Sequence, residues 1–119
     1  MSRVRIAVVI GVLLVFAVVG GLIIRANQHQ GGQQVTFNVT VTGAKTMSPS
    51  SLSAHVNDTI TINIASDTDG EVHLHVYDIP FDTKAGQTVS HTFKADKTCG
   101  CDIEWESTST PLGSLTVSP

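Results

Sequence analysis

The segment that decides the fold is EVHLHVYD at residues 71–78, in which apolar and polar side chains alternate without a break. Successive side chains of a β-strand point to opposite faces, so the pattern predicts a strand with Val72, Leu74 and Val76 facing a core. The opposite face then carries Glu71, His73, His75 and Tyr77. The segment therefore predicts a core strand that presents two histidines on its polar face.

Six further short segments have strand-like patterns. They lie at residues 35–41, 52–56, 59–64, 88–93, 102–106 and 115–117. Turn residues separate them, and residues 45–53, which contain Pro49, are predicted as a loop. Residues 79–82 are predicted as the segment that leaves the first strand. About seven short strands without an amphipathic helix predict an all-β fold, a single antiparallel β-sandwich.

An uninterrupted apolar run occupies residues 6–24. At 1.5 Å per residue in a helix, its length approaches the roughly 30 Å hydrocarbon thickness of a bilayer. Arg3 and Arg5 precede the run and only Arg25 follows it closely, so the positive-inside bias predicts that residues 1–5 are cytoplasmic. A cleaved signal peptide is the alternative, but residues 23–28 lack a small-x-small cleavage site. We favour a retained transmembrane anchor, and both alternatives export the rest of the chain.

The part after the apolar run divides into a polar linker at residues 25–34 and an exported domain at residues 35–119. The predicted location is the cell membrane, with a single pass and the C-terminal domain outside the cytoplasm. From residue 26 onward there are four lysines, no arginine and ten acidic residues, a formal net charge of −6. Such a domain lacks the basic footprint of a nucleic-acid-binding protein. The membrane, through residues 6–24, is the predicted partner, and the sequence identifies no protein partner.

Enzymatic motifs do not occur in the exported part. There is no Gly-x-Ser-x-Gly nucleophile elbow, and no glycine-rich phosphate loop follows a strand and opens a helix. The many serine and threonine residues fit exposed β-sheet faces better than catalysis. The sequence therefore predicts a protein that is not an enzyme.

From about residue 46 to 119 the chain resembles the cupredoxin-like domains of the EfeO-type family. The similar segments are VNDTITI (56–62), EVHLHVYD (71–78), AGQT (85–88), TFKADK (92–97) and LGSLTV (112–117). The His-x-His strand and the LGSLTV ending are the more specific of these. The resemblance implies a cupredoxin-like Greek-key β-sandwich, here preceded by one N-terminal transmembrane helix.

The same resemblance excludes the blue-copper centre of many cupredoxins. Such a centre uses one histidine on a middle strand, then a cysteine, a histidine and usually a methionine around the last long loop. His73 matches the first histidine, but Trp105 stands at the cysteine position. No histidine follows His91 and no methionine follows Met47, so a His₂Cys site with an axial ligand cannot form there.

A different metal site is implied by the cupredoxin topology, which runs strand 102–106 antiparallel beside strand 71–78. This arrangement brings acidic side chains toward the His73 end. We predict a cluster of His73, His75 and Glu106, with Glu71 or Glu104 in support, for copper, iron or zinc. The alternative is a solvent-facing polar strand without metal, in a domain that serves as a protein-interaction or envelope accessory module.

Cys99 and Cys101 are separated only by Gly100. Cysteines tend to pair in an oxidising exterior, and glycine gives the backbone the latitude that so small a ring needs. We predict a disulfide or redox-active pair between them, with bridges to another chain and free thiols as alternatives. Two cysteines alone do not make a zinc site, which needs four ligands.

Overall fold

A computed structural model describes residues 31–119, and a compact unit spans Gln34–Pro119. Its strands are β1 (Gln34–Thr42), β2 (Thr46–Ser48), β3 (Ser51–His55), β4 (Thr59–Ser66), β5 (Gly70–Leu74), β6 (Ile79–Thr83), β7 (Gln87–Lys94), β8 (Cys99–Trp105) and β9 (Thr110–Ser118). A short 3₁₀ helix, Glu106–Thr108, links β8 to β9. The all-β prediction is confirmed for the described residues.

The predicted transmembrane helix at residues 6–24 lies outside the described residues. Between residues 31 and 119, no helix has the length and apolar character to cross a bilayer.

The strands form two sheets, with orders β2-β1-β4-β7 and β3-β9-β8-β5-β6. β1 runs parallel to β4 and β3 runs parallel to β9, while the remaining pairs are antiparallel. The sandwich, predicted as antiparallel, is antiparallel only in part, because each sheet contains one parallel pair. The physical reason is that a half-buried strand shows the same apolar–polar alternation whichever way its neighbour runs.

Two of the nine strands, β2 and β6, were not predicted as strands, so the number of about seven is too low. β2 lies within residues 45–53, which were predicted as a loop. β6 contains Pro80, which weakens the sequence signal for a strand. Proline is tolerated on an edge strand, and β6 is the edge of the five-stranded sheet.

The core lies between the two sheets and is built from the apolar members of the alternating strands. The largest fully buried apolar side chains are Phe81, Ile60, Ile62, Ile64, Leu74, Leu115, Val41 and Val72. Burying such a side chain contributes about 1.5–3 kcal/mol, so a one-residue slip of any central strand would lose several such contributions. The core thereby fixes which polar side chains stand on each outer face.

Residues 71–78 form a strand only in their first half. β5 ends at Leu74, and residues 75–78 make a turn into β6, so that Leu74 pairs with Ile79. Val76 lies in that turn at a φ of 73° and is 52% exposed. The prediction that Val76 faces the core is wrong, because the chain reverses before it is reached.

The loop between β4 and β5 joins the two sheets and is held by carboxylates. Asp67 accepts a 2.8 Å hydrogen bond from the Gly43 N–H, and Asp69 accepts one of 2.8 Å from the Ala85 N–H. The Gly43 N–H and the Thr68 hydroxyl hold the pKa of Asp67 below its usual range, because both donate to the charged form.

Candidate metal centre

The centre is built on the antiparallel pair of β5 and β8. His73 lies directly opposite Glu104, between the buried pairs Val72–Trp105 and Leu74–Ile103. Because side chains alternate along both strands, His73 and Glu104 share the outer face of the five-stranded sheet. Packing of the two apolar pairs therefore fixes the base of the site.

His75 joins these two residues although β5 has already ended. Its backbone N–H donates a 2.9 Å hydrogen bond to the Asp102 carbonyl, which keeps this residue beside β8. Its Nε2 lies 2.8 Å from Glu104 Oε1. The His73 and His75 rings meet edge to face, with centroids 4.6 Å apart. The two imidazoles and the carboxylate each present one potential ligand atom, and these three atoms lie within 4.8 Å of one another.

The two ring nitrogens of His73 have different surroundings. Nε2 lies 2.7 Å from Asp78 Oδ1, within hydrogen-bond distance. Nδ1 is buried and has no hydrogen-bond partner among residues 31–119; the carboxylate oxygen Glu106 Oε2 lies 3.5 Å from it. A buried polar atom without a partner is unfavourable in a structural role and is expected where a ligand binds.

Of the predicted ligands, His73 and His75 lie together, whereas Glu106 lies outside the three-residue group. Glu106 begins the 3₁₀ helix after β8, so it no longer follows the strand alternation that carries Glu104. Glu104, predicted only in support, lies within the group. Glu71 lies opposite Asp82 in the register of β5 and β6, and it does not belong to the three-residue group.

Asp78 is a site residue that the sequence reasoning missed. It was assigned to the strand, whereas it lies in the turn and folds back onto His73. Aspartate is a common turn residue, and Pro80 two positions later was the available signal that the strand had already ended.

Cys99 and Cys101 are joined to each other by a disulfide, with their Cα atoms 5.3 Å apart. Cys101 is fully buried and Cys99 half-buried, on the inner side of β8. The histidines stand on the outer face of the same sheet, so neither sulfur belongs to their cluster.

The surroundings of the cluster are acidic. Six of the ten acidic residues lie on or beside the outer face of the five-stranded sheet. They are Glu71, Asp78, Asp82, Asp102, Glu104 and Glu106. Their combined potential attracts cations, and the donor set is two imidazoles with carboxylate oxygens.

No protein-family model and no curated protein matches the sequence. Solved structures do match. A copper binding protein in its apo form aligns with a TM-score of 0.60 at 9% identity, over 74% of this chain and 97% of that one. A chain of a heme-copper terminal oxidase dimer aligns with a TM-score of 0.58 at 10% identity, over 97% of this chain and 99% of that one.

The multicopper oxidase mgLAC aligns with a TM-score of 0.53 at 15% identity, over 72% of this chain but only 39% of its own length. The fold is cupredoxin-like. At these identities the likeness concerns the fold alone, and the cupredoxin-like prediction is confirmed at that level.

Proposed function

We propose that this cupredoxin-like domain binds a divalent transition metal ion, copper(II) first among them, through His73, His75 and Glu104. The observation that carries the proposal is the convergence of three ligand atoms within 4.8 Å on one sheet face. The buried Nδ1 of His73, which has no hydrogen-bond partner in the described part of the chain, is consistent with an atom reserved for a ligand.

The dimensions of the cluster suit one ion. Metal–ligand bonds to nitrogen and oxygen are about 2.0–2.2 Å, so two ligands of one ion lie at most about 4.4 Å apart. The three ligand atoms lie within 4.8 Å of one another, so none of their separations exceeds this limit by more than about 0.4 Å. His75 and Glu104 are 41% and 21% exposed, which leaves them room to shift and leaves water access to any open coordination position.

The donor chemistry favours copper(II) over iron, with zinc as the next candidate. Imidazole and carboxylate ligands without a thiolate suit copper(II) and zinc, and copper(II) binds most tightly of the first-row divalent ions at a given site. The structural neighbours include a copper binding protein and a multicopper oxidase, which supports copper. We propose metal binding and handling rather than catalysis.

The test is an equilibrium titration of the full chain, purified in a mild detergent, with copper(II) against a competing chelator. We expect one equivalent of copper per chain, and an affinity at least about 10–100-fold lower in His75→Ala. His55→Ala is the matched control, because it removes an exposed histidine on β3 and leaves the cluster intact. Failure to bind copper stoichiometrically, or equal affinity in wild type and His75→Ala, would overturn the proposal.

We also propose that residues 6–24 anchor the protein in the cell membrane with the domain outside the cytoplasm. The support is the length of the apolar run and its flanking arginines. Intact mass spectrometry of the native protein should find residues 1–24 retained, and protease added outside intact cells should degrade the domain. A mature chain that begins after residue 24 would instead identify a cleaved signal.

A second candidate function is that of an accessory module in a larger assembly, without metal of its own. It is supported by the shared fold with a chain of similar length in a heme-copper terminal oxidase. Purification of the full chain from native membranes in mild detergent should then yield a complex with heme absorbance. A copper-binding chain that purifies alone would reject this second candidate.

A further inference from the structure

The turn at residues 75–78 holds Asp78 against His73. Asp78 has a positive φ of 56°, and Val76 two positions earlier has one of 73°. Residues with a Cβ rarely adopt this region, and β-branched residues least of all. Such conformations persist only where the surrounding structure fixes them, and they cluster at ligand sites.

Tyr77 supplies that fixation. Its hydroxyl donates a 2.6 Å hydrogen bond to the Lys97 carbonyl and accepts one of 3.2 Å from the Lys97 N–H. Its ring packs against Phe93 with centroids 5.0 Å apart. The turn is thus attached to the segment that follows β7, and Asp78 is held where its carboxylate meets His73 Nε2 at 2.7 Å.

The contact with Asp78 determines which nitrogen of His73 carries the proton. A neutral imidazole has one N–H and one lone pair, and an ionised carboxylate only accepts hydrogen bonds. With His73 neutral and Asp78 ionised, this contact is a hydrogen bond only when the N–H lies on Nε2. The lone pair then lies on Nδ1, the buried nitrogen without a hydrogen-bond partner.

We propose that Asp78 is a positioning residue, which fixes His73 in the Nε2–H tautomer and so leaves Nδ1 as the atom for a metal ion. Carboxylates commonly orient metal-binding histidines in this way through the nitrogen that does not bind. The inference about the ion rests on the proposed function. The inference about the tautomer concerns the metal-free protein and stands independently.

The decisive measurement is nuclear magnetic resonance of the metal-free full chain in detergent, with ¹⁵N-labelled histidine, at about pH 8 where an ordinary imidazole is neutral. Long-range ¹H–¹⁵N correlations should identify His73 Nε2 as protonated and Nδ1 as unprotonated. Asp78→Asn, which retains a residue tolerant of positive φ, should give a mixture of tautomers. Asp82→Asn removes a similar exposed carboxylate from neighbouring β6 and should leave the His73 spectrum unchanged.

Titration with zinc chloride, which keeps the spectra free of paramagnetic broadening, then tests the link to the metal. We expect an affinity about 10–100-fold lower in Asp78→Asn. The loss in Asp82→Asn should be much smaller, because this variant removes one of the surrounding charges and leaves the Asp78–His73 contact in place. A protonated Nδ1 in the wild type, or equal affinities in wild type and Asp78→Asn, would overturn the proposal. An Nε2–H tautomer in a protein that binds neither zinc nor copper would uphold the positioning role and reject the proposed function.

Discussion

The two sheets of the sandwich present outer faces of opposite chemistry. The outer face of the four-stranded sheet, here the neutral face, consists mostly of short polar side chains, with one alanine and one charged residue. Its members are Gln34, Thr36, Asn38, Thr40, Thr42, Thr46, Ser48, Thr59, Thr61, Asn63, Ala65, Thr88, Ser90, Thr92 and Lys94. These side chains bond to one another across the strands, as in Thr61–Thr92 at 2.8 Å.

The outer face of the five-stranded sheet, here the site face, carries the histidines and six carboxylates. Its groups also pair, but His73 Nδ1 is buried and receives no hydrogen bond from any residue that the structure describes. On the neutral face, the Asn63 side chain donates a hydrogen bond to Asn38 and accepts one from Ser90, so these three polar side chains are hydrogen-bonded to one another. The polar groups of the neutral face therefore satisfy one another, whereas the site face keeps one buried nitrogen, His73 Nδ1, unsatisfied by residues 31–119.

The largest effect on the site face is expected from a change behind it. Gly70 opens β5 and packs against the Trp105 ring, and a Cβ at this position would lie 2.9 Å from Trp105 Cη2. Because Trp105 lies between the two acidic residues 104 and 106, moving its ring should also move both carboxylates. We expect Gly70→Ala to lower the free energy of unfolding by about 3 kcal/mol, as overpacking does at its upper range, and to weaken copper binding.

Urea unfolding of the full chain, followed by circular dichroism, would measure the loss. The matched control is Gly100→Ala on β8, where an added Cβ meets no atom within 4 Å and φ is not positive, so that the Cys99–Cys101 disulfide does not require glycine at this position. Equal stability of Gly70→Ala and wild type would show that Trp105 does not hold the site face in place.

The next effect separates the two carboxylates of the site face. Glu104 belongs to the three-residue group, whereas the Glu106 carboxylate lies 3.5 Å from His73 Nδ1 and is not a member. Glu104→Gln keeps the shape but removes the charge, and should lower copper affinity by about 100-fold, as expected when a metal site loses a charged ligand or its support. Glu106→Gln should lower it by about tenfold or less. Both affinities would be measured by the same chelator competition. A larger loss in Glu106→Gln than in Glu104→Gln would identify Glu106 as the carboxylate ligand, as the sequence predicts.

The alternation of apolar and polar residues was enough to predict a strand where the chain does not turn within the alternating segment. In β4 the three buried isoleucines at 60, 62 and 64 alternate with polar residues at 59, 61 and 63, and the predicted segment 59–64 lies within the strand Thr59–Ser66. The same reasoning failed for Val76, because alternation cannot report a positive φ. It also could not distinguish parallel from antiparallel neighbours, so the mixed sheets were not predictable from the pattern.

The strands that form the site were predictable, but the side chains that meet there were predictable only in part. His73 and His75 follow from spacing on one strand, and the β5–β8 pairing came from the cupredoxin resemblance. Choosing between Glu104 and Glu106 required knowing where β8 ends, which depends on the 3₁₀ helix. Strand ends are set by tertiary contacts as much as by local sequence, and Asp78 was missed for the same reason.

A smaller effect is expected on the neutral face. Thr61→Val removes one partner of the Thr61–Thr92 hydrogen bond while keeping a β-branched side chain that favours strands. The Thr92 hydroxyl is exposed and would bond to water instead, so the free energy of unfolding should change by less than about 0.5 kcal/mol. Copper affinity should equal that of the wild type. A loss of affinity in Thr61→Val would contradict the division of roles between the two faces.

The smallest effect is expected at Asp67, in the exposed loop that joins the two sheets. Donation from Gly43 and Thr68 holds the folded-state pKa of Asp67 below its usual 3.8. A lowered carboxylate pKa adds stability that is present above the unfolded-state value and is lost as pH falls through the folded-state value.

Asp67→Asn removes the charge but keeps an acceptor for the Gly43 N–H. The urea midpoint of the wild type should therefore exceed that of the variant by a constant margin above about pH 5, and the margin should close below pH 3.8. A margin that widens on acidification would mean that Asp67 binds its proton more tightly in the folded chain, the reverse of what its two donors require.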